Sequence, residues 1–354
     1  MNVSRKQDRI LGFSTSEIHV IFIIFKHKGC FPKIPNEQRT GTVQLPTQFE
    51  GPEKKLEVIL SRPIAGLHSN ADGRWDRIVH ASGSEIISKA STDVMDAYLL
   101  AESSLFIWEN RILIITCGQT NLINTIPEIL NVIDEDDVAL LFYERKNLLF
   151  PNSQLSDFET EAARISGFFP GKSYRLGPAN HDHVHIFYSS HAAISAGEDA
   201  TLELLMHDLH PDALLMYTPE GGQTADDIVR LAGIDQLYPD MTIDAFLFEP
   251  FGYSLNAISG SDYFTIHVTP QSQGSYASFE TNLISGDLSD LVNRVLGIFQ
   301  PGRFSFVLTS SVNDRRISVD SSTFDEVAGF RPTEKSLYEL DCGYQVRFSN
   351  FIRI

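Results

Sequence analysis

Apolar residues in this chain fall mostly into short runs with a period near two. EVIL (57–60), SEIIS (84–88), AYLLAE (97–102) and RILIIT (111–116) read as strands, each bounded by turn formers. NLINTIPEILNVI (121–133) breaks the pattern: Leu122, Ile126, Ile129, Leu130 and Ile133 lie near helical spacing and predict a helix. VALLFYE (138–144) returns to strand. The second half repeats the theme. DAFLFE (244–249), DYFTIHVT (262–269) and SYASFET (275–281) read as strands, then DLSDLVNRVLGIF (287–299) as an amphipathic helix through Leu288, Leu291, Val292, Val295 and Phe299, and FSFVLTS (304–310) as strand again. An internal duplication fits this echo, although the unequal spacing keeps it weak. Many strands, few helices and no strict βαβ alternation predict an α+β fold with mainly antiparallel sheets. Residues 1–45 read as a poorly ordered N-terminal extension ending in a linker-like stretch, and residues 46–354 as one compact domain.

Composition narrows the partners. The chain has 354 residues, 42% of them hydrophobic, which is ample for a large buried core. Its 46 acidic against 28 basic residues give a net charge of −18, which argues against a nucleic-acid groove. The apolar run VIFIIF (20–25) is far too short for a membrane span, so no membrane partner is expected. Cys30, Cys117 and Cys342 offer neither a disulfide framework nor zinc spacing, and fit a reducing, cytoplasmic compartment. HDHVH (181–185) puts His183 and His185 on one strand face without an evident third ligand, so no metal is expected.

One stretch is harder to place. In YLLAESSLFIW (98–108), Glu102, Ser103 and Ser104 sit in the middle of an apolar run. On these residues alone the stretch is either a tight polar turn between strands or a point at which the chain cuts itself. Likewise His267, on an apolar strand, reads as a structural histidine or a base, and Cys117 as a packing residue or a proton donor.

Six segments bear on the choice. FEGPEKKLEV (49–58), YLLAESSLF (98–106), ITCGQT (115–120), FEPFGYSLNAI (248–258), TIHVTP (265–270) and SYASFETN (275–282) resemble, in order and at compatible spacing, the eukaryotic S-adenosylmethionine decarboxylase proenzymes. The resemblance covers roughly residues 45–352 and implies a four-layer αββα sandwich. It also implies cleavage between Glu102 and Ser103, giving a β chain of residues 1–102 and an α chain of residues 103–354. Ser103 would become a pyruvoyl group that forms a Schiff base with the substrate amine and serves as electron sink without pyridoxal phosphate. The function implied is decarboxylation of S-adenosylmethionine for spermidine and spermine synthesis.

The resemblance assigns further roles. His267 and Ser254 match processing residues, Cys117 the proton donor, and Glu50 and Glu53 active-site carboxylates suited to a cationic substrate. Phe49 and Phe248 match the rings that sandwich the adenine, and Leu100 lines the same substrate site. Asp199, Thr201, Glu203, Glu280 and Glu57 match the buried site that binds the activator putrescine in animal members. On their own residues Asp199 reads rather as a helix N-cap and Glu203 as a solvated carboxylate. The αβ unit would stand alone or pair into an (αβ)2 dimer.

Three positions depart from the family pattern. Gln271 stands where an acid grips the ribose hydroxyls, Phe251 where a cysteine is usual, and Lys55 where animal members are apolar. A lysine ammonium there would stand in for part of putrescine. Two rival readings follow: an inactive paralogue that activates a partner decarboxylase, or a pyruvoyl enzyme acting on another amino acid.

Overall fold

The computed structural model describes residues 49–190, 197–218, 221–284, 288–317 and 327–354. The N-terminal extension of residues 1–45, with its apolar run, lies outside the described residues.

The period-two runs form two eight-stranded antiparallel sheets. The first holds β1 (Lys54–Leu60), β2 (Ile86–Ser91), β3 (Met95–Leu100), β4 (Ser103–Trp108), β5 (Arg111–Thr116), β6 (Val138–Lys146), β7 (Lys172–Leu176) and β8 (Val184–Ser190). The second holds β9 (Ala200–Leu209), β10 (Thr242–Leu247), β11 (Tyr253–Ser259), β12 (Asp262–Thr269), β13 (Tyr276–Thr281), β14 (Pro301–Ser311), β15 (Phe330–Leu340) and β16 (Tyr344–Arg353). Their strand orders are β2-β3-β4-β5-β1-β6-β8-β7 and β10-β11-β12-β13-β9-β14-β16-β15. Adding eight to every strand of the first order gives the second, so the internal repeat is complete at the level of topology. Sequence spacing hid it because the connections differ in length.

Helices cover the two outer faces. Leu56, Val58, Leu105, Ile107, Ile112 and Ile114 pack outward against α1 (Arg74–Ser82), α2 (Thr125–Leu130) and α3 (Phe158–Ile165). Leu204, Leu255, Phe264, Ile266 and Phe279 pack outward against α4 (Pro211–Leu215), α5 (Ala225–Leu231) and α6 (Leu288–Phe299). The inner faces meet through two apolar clusters. One joins Phe142, Ile186 and Tyr188 to Val307, Val346 and Phe348; the other joins Phe106, Trp108 and Ile115 to Ile258 and Tyr263. The order helix, sheet, sheet, helix is the expected four-layer sandwich.

Strand alternation also places the chemistry. Because Leu56 and Val58 face the helices, Lys55 and Glu57 face the other sheet. By the same rule Ser254 and Asn256 on β11, Thr265 and His267 on β12, and Ser278 and Glu280 on β13 all point inward. The expected helix over 121–133 is shorter in the structure: a 3-10 turn at Leu122–Asn124, then α2 from Thr125. Pro127 has no N–H to donate and is tolerated only in a helix's first turn, so a continuous helix from Asn121 is excluded.

Candidate active site

β3 and β4 form a hairpin closed by Ala101 and Glu102, with Leu100 paired to Ser103. The polar turn is therefore present, but it is not a relaxed one. Ser103 has φ of 128°, a conformation that side-chain-bearing residues rarely adopt and that costs on the order of 1–3 kcal/mol. Leu100 turns its side chain into the helix-facing core, so what it presents to the hairpin is backbone.

Cys117 follows β5, the strand paired with β4, and lies beside the Glu102–Ser103 peptide. Its N–H donates to the Glu102 carbonyl oxygen at 3.0 Å, and its Sγ lies 3.6 Å from that oxygen. The Ser103 hydroxyl donates to Cys117 Sγ at 3.5 Å, and Sγ lies 3.8 Å from Glu102 Oε2. Burial, reinforced by the nearby Glu102 charge, pushes the thiol well above its ordinary range, so it stays protonated at neutral pH. Burial also pushes the Glu102 carboxyl up to about 7.

Three groups brace this corner from the start of β1 and the segment leading into it. Glu50 accepts the N–H groups of Leu149 and Phe150 at 2.8 and 2.7 Å, so both its oxygens hold the segment after β6. Glu53 accepts from the Ser278 hydroxyl, and burial pushes it up to about 7. Lys54, buried, donates to the carbonyls of Gly118 and Thr120 at 3.1 and 2.5 Å and so fixes the Cys117 turn. Gly118 needs to be glycine: its φ is +62°, and a Cβ there would lie 2.6 Å from Glu102 Oε2 and 2.9 Å from the Phe49 ring.

Phe49 is thus brought against the cleavage corner. Gln271 holds it there: its Oε1 accepts the Phe49 N–H at 3.1 Å and its Nε2 donates to the Phe49 carbonyl at 2.5 Å. Phe248 sits in the turn between β10 and β11, where its N–H donates to Gly252 and its ring meets Phe246 edge-on at 4.8 Å. The two candidate stacking rings make no ring contact with each other among the described residues.

His267 lies across the inter-sheet layer from the hairpin. Its Nδ1 is 3.0 Å from Ser254 Oγ, and its Nε2 is 3.0 Å from Thr265 Oγ1 and 3.3 Å from Ser104 Oγ. Burial lowers its pKa to about 3, which keeps the ring neutral and able to accept a proton. Asn256 completes the group: it donates to the Tyr98 carbonyl and accepts from Ser104 at 2.7 Å and Thr265 at 3.0 Å. The serine within reach of His267 is thus Ser104, whereas Ser103 is turned to Cys117. Sequence reasoning noted Ser104 but gave it no role, and missed Asn256 and Thr265, whose signal was period-two spacing from Ser254 and His267.

The acidic cluster is also assembled, but it is already filled with cations. Glu203 and Glu280 stand opposite one another on β9 and β13, a like-charge pair that is unfavourable by itself. Lys55 reaches across from the other sheet to Glu203 at 2.5 Å and Glu280 at 3.3 Å, and meets Glu144, its partner on the neighbouring strand β6, at 3.3 Å; Lys146 bonds Glu203 and Glu144. Burial alone would raise Glu203, yet Lys146 and Lys55 hold it well below the usual carboxylate range. Burial pushes Glu280 up to about 8 against the pull of Lys55, with Tyr263 donating to it at 2.6 Å. Asp199 and Glu57 share Arg111, at 2.5 and 3.3 Å, and Tyr344 also donates to Asp199. Asp199 precedes a strand, so the helix N-cap alternative falls away. Thr201 lines a remnant cavity of about 10 Å³ together with Lys55, Glu57, Glu144 and Asp199. Lys146, Glu144 and Arg111 were not anticipated: the first two lie at the end of β6 and Arg111 at the start of β5, strands far in sequence from the cluster's other carboxylates.

Comparison with known proteins bears on this arrangement. The family profile described as adenosylmethionine decarboxylase matches residues 46–352. An S-adenosylmethionine decarboxylase proenzyme of Dictyostelium discoideum is 35% identical over 326 residues, covering 86% of this chain and 85% of the relative. The Xenopus laevis proenzyme is 33% identical, covering 86% of this chain and 96% of its own length. The crystal structure of the Trypanosoma brucei AdoMetDC-delta26 monomer superposes with a TM-score of 0.55 at 26% identity, over 71% of this chain and 99% of that one. The doubled eight-stranded sandwich, the strained Glu102–Ser103 hairpin beside Cys117 and these matches converge: the chain belongs to the adenosylmethionine decarboxylase family.

Proposed function

We propose that the chain cuts itself between Glu102 and Ser103 and then decarboxylates S-adenosylmethionine. The observation that carries this is the hairpin itself. A strained Ser103 follows a carbonyl whose oxygen already accepts a backbone N–H from Cys117 at 3.0 Å. A donor placed there stabilises the negative charge that develops on that oxygen when the Ser103 hydroxyl attacks the Glu102 carbonyl carbon. The C–N bond then breaks and leaves an ester. Loss of the Ser103 α-proton and β-elimination release residues 1–102, and hydrolysis of the remaining enamine gives the pyruvoyl end and ammonia. His267, neutral and flanked by hydroxyls on both ring nitrogens, is the base for the α-proton.

A pyruvoyl group fits these surroundings, since its precursor Ser103 is buried and held beside a protonated thiol. That group supplies a carbonyl that condenses with an amine and takes up the electron pair left by departing carbon dioxide. Cys117 returns the proton to carbon; its thiol is held protonated for that purpose. Phe49 and Phe248 supply aromatic faces for the adenine and the sulfonium. The test is carbon dioxide release from carboxyl-labelled S-adenosylmethionine set against ornithine and arginine. Release from S-adenosylmethionine alone supports the reading; release from a plain amino acid overturns it.

The chain supplies its own activating cation. Lys55 and Lys146 already neutralise Glu144 and Glu203, and the remaining space of about 10 Å³ holds at most one water, not a four-carbon diamine. Millimolar putrescine is expected to change the decarboxylation rate by less than about two-fold. Lys55→Leu, which leaves buried carboxylates uncompensated, is expected to cost about 3–5 kcal/mol of stability. In that variant, added putrescine should restore activity and raise the melting temperature. A rate in the unaltered chain that climbs several-fold with putrescine would contradict the assignment.

A further inference from the structure

We infer that the side chain of Glu102 is the proton acceptor for the first step of self-cutting, reached from Ser103 through the thiol of Cys117. The inference rests on the self-cutting reading above and adds to it the group that activates the attacking hydroxyl. An alcohol attacking an amide needs somewhere to put its proton. The contacts trace one route: Ser103 Oγ to Cys117 Sγ at 3.5 Å, and Sγ to Glu102 Oε2 at 3.8 Å, both ordinary hydrogen-bond lengths for sulfur.

The other candidates are occupied elsewhere. His267 faces Ser104, Thr265 and Ser254. Both Glu50 oxygens are taken by backbone N–H groups, and Glu53 is bonded by Ser278. Lys54 donates to Gly118 and Thr120. Among the described residues, Glu102 is the one carboxylate that touches the thiol that touches the nucleophile. Burial raises it to about 7, with the Cys117 hydrogen bond and Lys54 of β1 pulling the other way, which suits a base working near neutrality.

The step balances without a co-reactant. The Ser103 hydroxyl proton passes to Sγ as the thiol proton passes to Oε2, and Oγ bonds to the Glu102 carbonyl carbon. The bond from that carbon to the Ser103 nitrogen then breaks, and the proton on Oε2 returns to the nitrogen. The product is an ester and a free amine. Glu102 ends the released chain, so this base works once and departs with the piece it cuts off.

The experiment follows freshly translated full-length chain in a pulse-chase, by gel and intact mass, from pH ~5.5 to ~8.5. The unaltered chain should be cut faster as pH rises through about 7, where the Glu102 carboxyl loses its proton. Glu102→Gln should be cut roughly 100-fold more slowly, with a flat pH profile. Glu102→Asp, one methylene shorter, should be slowed less and keep the inflection; it decides the matter if the glutamine variant fails to fold. Unchanged rate and profile in Glu102→Gln, or a flat profile in Glu102→Asp, overturns the inference. If the unaltered chain is never cut, the self-cutting reading fails instead, whatever Glu102 does.

Discussion

Ser103→Ala should leave the chain whole and without decarboxylase activity, although it should fold as well as the unaltered protein. The hydroxyl is the only atom removed. Among the described residues it makes one hydrogen bond, to Cys117 Sγ at 3.5 Å, a weak one, so its loss costs about 1 kcal/mol or less. Without the hydroxyl no ester forms, no elimination follows and no carbonyl end is made. The effect on activity is total rather than graded. Strain provides an internal check on the same position. Alanine at φ of 128° is as strained as serine, whereas glycine is not. Ser103→Gly should therefore be equally uncut yet melt higher than Ser103→Ala, by an amount corresponding to about 1 kcal/mol or more. Equal melting temperatures would mean that the strain is no larger than the ~0.4–1 kcal/mol that glycine costs through the unfolded chain.

His267→Ala should fail at a later point. The groups that start the acyl shift, Ser103, Cys117 and Glu102, contact one another without His267. The shift to the ester should therefore still occur, while removal of the α-proton is lost. Such a chain runs as one band and has the mass of the uncut chain, but an ester at position 103 is split by neutral hydroxylamine where an amide is not. The prediction is a single band untreated and two bands after hydroxylamine, with pyruvoyl formation slowed by roughly 10²–10⁴-fold. Because burial holds the His267 pKa at about 3, the imidazole is already neutral across the working range and adds no inflection of its own. Cutting of the variant at the unaltered rate would remove His267 from the pathway.

Much of this fold was legible because strand alternation is a local signal. RILIIT, DYFTIHVT and SYASFET are strands where the period-two pattern put them, and the inward positions of Ser254, His267, Ser278 and Glu280 follow from the same count. What stayed hidden depends on partners far apart in the chain. Lys146 and Arg111 read as ordinary charged strand ends until the opposing sheet brings Glu203 and Asp199 to them. Gln271 read as a weakened ribose ligand, whereas both ends of its amide are taken by the backbone of Phe49, 222 residues away. The φ of Ser103 is likewise set by the pairing of β4 with both its neighbours, not by any local sequence preference. The outer helices α1, α3 and α5 were passed over because their short apolar stripes are weak beside the strand runs.

Intact-mass analysis of the freshly purified chain tests the central claim most directly. Two polypeptides should appear, residues 1–102 ending in a free carboxylate and residues 103–354 beginning with a carbonyl-blocked terminus that resists stepwise sequencing. A single species with the mass of all 354 residues, persisting through prolonged incubation at neutral pH, would contradict it.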